Sequence, residues 1–137
     1  MKSTHGRCLC GGVQYTVEGP LRPVVYCHCT MCRRSTGHFF AATACARADL
    51  KLESDKTLQW YQSSPTARRG FCAACGSNLF WEAAGTETIS ILAGSLDTPS
   101  GLVAREHIFV AEAGEYYSVT DGLPQHAGWP ANWGAAE

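Results

Sequence analysis

Cys27-His28-Cys29-Thr30-Met31-Cys32 places three cysteines within six residues. Half-cystines this close in an extended run cannot reach one another without strain, so the cluster reads as a metal site rather than a disulfide framework. The number three carries information. A structural zinc takes four protein ligands, whereas a catalytic zinc keeps one position for water or substrate.

Working outward, seven of the eight cysteines lie in ligand-like spacings: Cys8-x-Cys10, Cys27-x-Cys29-x-x-Cys32 and Cys72-x-x-Cys75. In an extended segment residues i and i+2 point to the same side, so Cys8 with Cys10 and Cys27 with Cys29 can each grip one ion. Cys72-x-x-Cys75 delivers two thiolates from one tight turn, with Gly76 relieving the backbone beside it. Cys45, inside an apolar run, is left over as a core residue. Two partitions fit these spacings. In one, Cys8, Cys10, Cys72 and Cys75 close a four-thiolate structural site, and Cys27, Cys29 and Cys32 hold a second zinc with an open position. In the other, Cys29, Cys32, Cys72 and Cys75 form a zinc-ribbon site and three thiols are spare.

The chain of 137 residues reads as one domain, and its formal charge of -1 offers no electrostatic footprint for nucleic acid. No apolar run is long enough to span a bilayer, and the N-terminal residues lack the apolar core of a signal peptide, which predicts a cytoplasmic protein with no membrane partner. Short strands are expected at 13–17, 24–26, 39–45, 50–52, 57–61, 79–82, 87–92 and 106–110. Thr30 is expected to cap a short helix that Gly37 closes. Many short strands between turn signals predict a mainly β, antiparallel domain. The tail from Gly128 shows no period and is expected to pack over the sheet.

An ordered set of motifs then carries a family resemblance: Cys8-Leu9-Cys10-Gly11-Gly12-Val13, Cys27-His28-Cys29-x-x-Cys32-Arg33, Ser35-Thr36-Gly37, Phe71-Cys72-x-x-Cys75-Gly76-Ser77 and Gly94-Ser95-Leu96-Asp97. His107-Ile108-Phe109-Val110 and Asp121-Gly122-Leu123-Pro124 fit as well. Together these resemble the glutathione-dependent formaldehyde-activating enzyme family, the GFA or CENP-V domain, over about residues 5–126, leaving a tail at 127–137. The resemblance implies the zinc-containing β-tent fold of antiparallel sheets with short helical turns. It also implies the first partition, with two zinc ions per chain, and carbon-sulfur lyase chemistry that interconverts S-(hydroxymethyl)glutathione with glutathione and formaldehyde. Glutathione or another small thiol would be the cosubstrate, and the partner a small thiol-aldehyde adduct. Where the family often has Ala-Pro-Trp before a Tyr, this chain reads Gly114-Glu115-Tyr116-Tyr117.

On this reading Cys27, Cys29 and Cys32 hold the catalytic zinc, while Arg33 and Arg34 flank it as candidate holders of a glutathione-like carboxylate. His28, between two ligands, is expected to point away from their metal. The competing reading is a zinc-stabilised protein-binding module without catalysis, on the same β-tent scaffold.

Overall fold

The computed structural model describes residues 3–131 and 133; the remainder of the expected C-terminal tail lies outside the described residues. Among the described residues ten strands and one α-helix form two sheets. The smaller sheet joins β1 (Ser3–Arg7), β2 (Val13–Glu18) and β5 (Leu50–Asp55) in the order β1-β2-β5. The larger contains β3 (Val24–Cys27), β4 (Phe40–Ala46), β6 (Leu58–Gln62), β7 (Ala67–Cys72), β8 (Asn78–Ala83), β9 (Thr88–Leu92) and β10 (Ala104–Ile108), ordered β10-β3-β4-β9-β8-β7-β6. The helix, α1 (Thr30–Thr36), follows β3 directly. The protein is mainly β, as expected.

Every strand pair is antiparallel except β10 with β3, which is parallel with Ile108 opposite Cys27. That pairing positions the Cys27–Cys32 loop. β3 is held on one side by β4, where Cys27 faces Phe40, and on the other by β10, and the ladder runs on through His28 N–H to the Ile108 carbonyl at 3.0 Å. Cys27 therefore leaves a strand fixed on both edges.

The core lies where Val13, Tyr15 and Val17 of β2 meet Leu79 and Phe80 of β8 and Ile89 and Ile91 of β9, with Cys45 among them. Tyr15 and Phe80 meet edge to face at 5.3 Å, and the Tyr15 hydroxyl is hydrogen-bonded to Ser95 Oγ at 2.6 Å, so the ring is buried with its polar end satisfied. Cys45 is a core residue whose burial pushes its thiol up to about 11.

Two strands carry little local signal. β1 is polar in sequence; its Gly6 is required because a Cβ there would strike the Tyr15 ring and come 2.7 Å from the Ser95 carbonyl. β7 contains Arg68-Arg69-Gly70, and Gly70 is hemmed in by Trp60 of β6 and Phe80 of β8, each about 3 Å from where a Cβ would lie. Arg68 stacks 3.9 Å from the Trp60 ring centroid and donates to Glu82 Oε1 at 2.6 Å; Glu82 also pairs with Arg47. The Arg68 charge that disguises the strand is thus satisfied across it.

Candidate metal centres

The structure gathers the seven spaced cysteines into two clusters, Cys8 with Cys10, Cys72 and Cys75, and Cys27 with Cys29 and Cys32, the sulfurs of each lying within 4.8 Å of one another. Cys8 and Cys10 come from the β1–β2 turn, and Cys72 and Cys75 from the β7–β8 turn, so the first cluster joins the two sheets. Cys8–Cys10 and Cys10–Cys72 are both 3.7 Å between sulfurs. Four sulfurs arranged tetrahedrally around a zinc ion at about 2.3 Å would be about 3.8 Å apart, so this donor set and spacing fit such an ion.

The surroundings of the first cluster are neutral hydrogen-bond donors. Val13 N–H points to Cys8 Sγ (3.3 Å), Gly12 N–H to Cys10 Sγ (3.4 Å) and Cys75 N–H to Cys72 Sγ (3.3 Å). The Thr57 hydroxyl lies 3.1 Å from Cys72 Sγ, and the Ser77 hydroxyl 3.2 Å from Cys75 Sγ. These hydroxyls hold both thiols below the ordinary range, Cys75 down to about 5. Gly76, at φ 80°, supplies the left-handed residue that returns the turn to β8.

The second cluster is built by a strand end and a helix start. Cys27 ends β3, Cys29 is the N-cap of α1 and Cys32 lies in its first turn. The expectation that Thr30 caps the helix is corrected: the cap is Cys29, whose Sγ accepts from Cys32 N–H at 3.3 Å. The reason is that a thiolate sulfur serves as the cap acceptor while facing the cluster, leaving Thr30 as the first helical residue, with its N–H donated to Glu112 Oε1 at 2.9 Å. Gly37 ends the helix in the left-handed conformation at φ 83°, as expected. Hydrogen bonds from the neighbouring thiols hold Cys29 down to about 2, while its bond to Cys29 pushes Cys27 up.

This cluster opens onto a cavity of about 960 Å³. Phe40, Trp81, Phe109, Trp129 and Trp133 supply aromatic wall, and Arg22, Arg34 and Arg69 supply the cations. Of the two arginines expected to flank the site, Arg34 lines the cavity and Arg33 does not; Arg33 acts electrostatically on Tyr117. Arg69 was not anticipated. It donates Nη2–H to Cys32 Sγ at 3.5 Å and Nη1–H to Ser35 Oγ at 3.4 Å, and it is only 8% exposed. Its place in the Arg-Arg-Gly-Phe run before the Cys72 turn gave no local hint, because β7 and α1 meet only through the tertiary fold.

His28 points away from the sulfurs, as expected, and is fully buried. Its Nδ1 lies 2.5 Å from the Tyr117 hydroxyl, its Nε2 lies 2.8 Å from His107 Nδ1, and His107 Nε2 lies 2.8 Å from Asp121 Oδ2. Burial, reinforced by His107, holds His28 down to about 4, so its ring is neutral. One donor order satisfies every atom of the row: Tyr117 O–H to His28 Nδ1, His28 Nε2–H to His107 Nδ1, and His107 Nε2–H to the carboxylate. This hydrogen-bonded row ties the Cys27–Cys32 loop to the 114–121 segment. In the variant Gly-Glu-Tyr-Tyr stretch, the Tyr116 hydroxyl bonds His38 Nδ1 at 3.0 Å and the Gly37 carbonyl at 3.4 Å, which fastens that segment to the end of α1.

Comparison with known proteins agrees with this architecture. The crystal structure of a Rhodobacter sphaeroides protein superposes with a TM-score of 0.57 over 88% of this chain and 98% of that one, at 23% identity, which is a likeness of fold. An uncharacterized lyase of Schizosaccharomyces pombe is 31% identical over 83 residues, 59% of this chain, and the matched region spans 58% of that relative's length. No helix among the described residues is long and apolar enough to cross a membrane. The family model for the glutathione-dependent formaldehyde-activating enzyme matches residues 3–112, and the chain belongs to that family.

Proposed function

We propose that this protein is a zinc-dependent carbon-sulfur lyase acting on a thiol-aldehyde adduct of the S-(hydroxymethyl)glutathione type, with one structural and one catalytic zinc per chain. The observation that carries the reading is the contrast between the clusters. Four sulfurs surrounded by neutral donors make a closed set that joins two sheets, whereas three sulfurs face a large cavity with aromatic walls. On the same reading residues 1–137 act as one GFA-type unit in the cytoplasm.

Cys8, Cys10, Cys72 and Cys75 would hold the structural ion, and Cys27, Cys29 and Cys32 the catalytic one. When bound there, zinc supplies Lewis acidity and keeps a sulfur ligand deprotonated near neutral pH. The cavity residues do the rest. Phe40, Trp81 and Phe109 exclude water around the reacting carbon. Arg34, at the exposed side of the same cavity, is placed to pair with a carboxylate of the thiol. The Glu112 carboxylate, bonded to Thr30 N–H, fixes the start of α1 and with it the direction of Cys29 and Cys32.

In the adduct-forming direction a thiolate lone pair makes the C–S bond as the carbonyl π pair moves to oxygen, which takes up a proton. In reverse the hydroxyl proton leaves, the carbonyl re-forms and the C–S electrons return to sulfur. The test is metal quantification together with formaldehyde consumption, with and without glutathione. Turnover that requires both the thiol and metal at Cys27, Cys29 and Cys32 is expected. Two bound metals with no thiol-dependent turnover of any small aldehyde would refute the lyase reading in favour of a binding module.

A further inference from the structure

The two clusters differ in the charge around them. Among the described residues the first has amide N–H groups and hydroxyls as its donors, and its Cys10 is exposed to solvent. The second has a guanidinium, that of Arg69, against Cys32 Sγ. This guanidinium is buried, its Nε has no hydrogen-bond partner, and no carboxylate among the described residues pairs with it; its other neighbours are Ser35 Oγ and the Phe40 ring at 5.4 Å. A permanent positive charge in such a place needs an anion beside it. Among the described residues the group in contact with it that can carry negative charge is the cysteine cluster, through Cys32 Sγ. Three thiolates and one divalent ion would sum to one negative charge, which the Arg69 guanidinium would neutralise. The other cavity arginines are differently placed: Arg34 is exposed, and Arg22 donates to the Ala42 and Pro23 carbonyls.

We propose that Arg69 is the built-in counter-ion of the Cys27–Cys29–Cys32 centre, a positioning residue that allows this centre to take an anionic sulfur ligand in preference to a neutral one. The inference rests on the reading that the cluster holds a divalent metal and meets a thiol. Without Arg69 a thiolate would have to approach a centre that already carries a net negative charge, in a partly desolvated cavity where Coulomb repulsion is strong. With it the thiolate approaches a neutral one.

The test uses the fully metal-loaded protein with cobalt substituted for zinc, read by its absorption bands, in wild type, Arg69→Gln and Arg69→Lys. The probes are 2-mercaptoethanol, whose sole anionic group is its sulfur, glutathione, which adds carboxylates, and imidazole, which is neutral. Arg69→Gln is expected to weaken mercaptoethanol binding by about 10–100-fold, the usual effect of removing a group that supports metal ligands, with imidazole little changed and Arg69→Lys recovering most of the loss. Equal weakening of both probes, or no recovery with lysine, would overturn the proposal in favour of a packing role. Loss of glutathione binding with mercaptoethanol unaffected would overturn it in favour of a carboxylate anchor.

A second measurement, chelator competition for the metal, needs no thiol. Arg69→Gln should lose about 10–100-fold in affinity at this cluster alone, and unchanged affinity would refute the counter-ion role. If wild-type protein binds no thiol, the lyase reading fails, while the chelator measurement still decides the role of Arg69.

Discussion

Cys10→Ser and Cys29→Ser separate the two clusters by what each holds together. Cys10 is exposed, so its replacement opens no cavity, and Cys29→Ser leaves an oxygen able to cap α1. Through the first cluster Cys10 is tied to Cys72 across 62 residues of chain. Treated as a cross-link, closing a loop of that length stabilises the fold by about 4 kcal/mol at 25 °C. The second cluster spans only the six residues from Cys27 to Cys32, and the same relation gives about 2 kcal/mol. Much of that constraint is already supplied by the helix cap and the β3–β10 ladder. For a chain of this size about 4 kcal/mol corresponds to roughly 15 °C in Tm. Each variant should lose one metal per chain by elemental analysis. Thermal unfolding followed by circular dichroism should then fall by roughly 15 °C for Cys10→Ser and by less than half of that for Cys29→Ser. A Cys10→Ser protein that loses its metal and keeps its Tm within a few degrees would refute the cross-link argument. Equal losses in the two variants would do the same.

Other outcomes follow from the packing and the buried polar groups. Tyr117→Phe should cost about 1–3 kcal/mol in denaturant unfolding, because it leaves His28 Nδ1 buried without a partner. Leu79→Ala, at a fully buried core site, should cost about 2–5 kcal/mol by the same measurement. Gly70→Ala should cost about 1–3 kcal/mol, since the new methyl group meets the Trp60 and Phe80 rings. Burial raises the Glu106 carboxyl, but hydrogen bonds from Trp133 Nε1, Arg105 and His126 more than offset this and hold it below its ordinary 4.5. Its contribution is therefore fully present above pH 4.5 and lost as pH falls through the lowered folded value. Glu106→Gln should flatten that part of the acid limb relative to wild type, and an unchanged limb by tryptophan fluorescence would count against the assignment.

The spacing of the cysteines determined most about this protein. Cys-x-Cys and Cys-x-x-Cys are local geometries that bring two sulfurs to one side wherever the segment lies, so the ligand residues were legible before any fold was known. The same holds for β2, β4, β8 and β9, where alternation or an apolar run reports a face buried by the sheet, and for Gly37, where a helix needs a left-handed residue to stop. Which sulfurs share a cluster was open from spacing alone. It was decided by the packing of the two sheets, which brings the β1–β2 and β7–β8 turns together and leaves Cys27, Cys29 and Cys32 by themselves.

Long-range contacts also decided what the local pattern hid. β1 and β7 are strands because partners cover their glycines and, in β7, because Glu82 of β8 pairs with Arg68, while β10 adds to the edge of the larger sheet parallel to β3. Cys29 displaced Thr30 as the cap because its sulfur was already turned toward the helix start. Arg69 reached Cys32 from 37 residues away, whereas Arg33, the sequence neighbour of Cys32, does not line the cavity. A side chain's reach is local, and periodicity reports only the face it leaves from. The charge that it meets belongs to another strand.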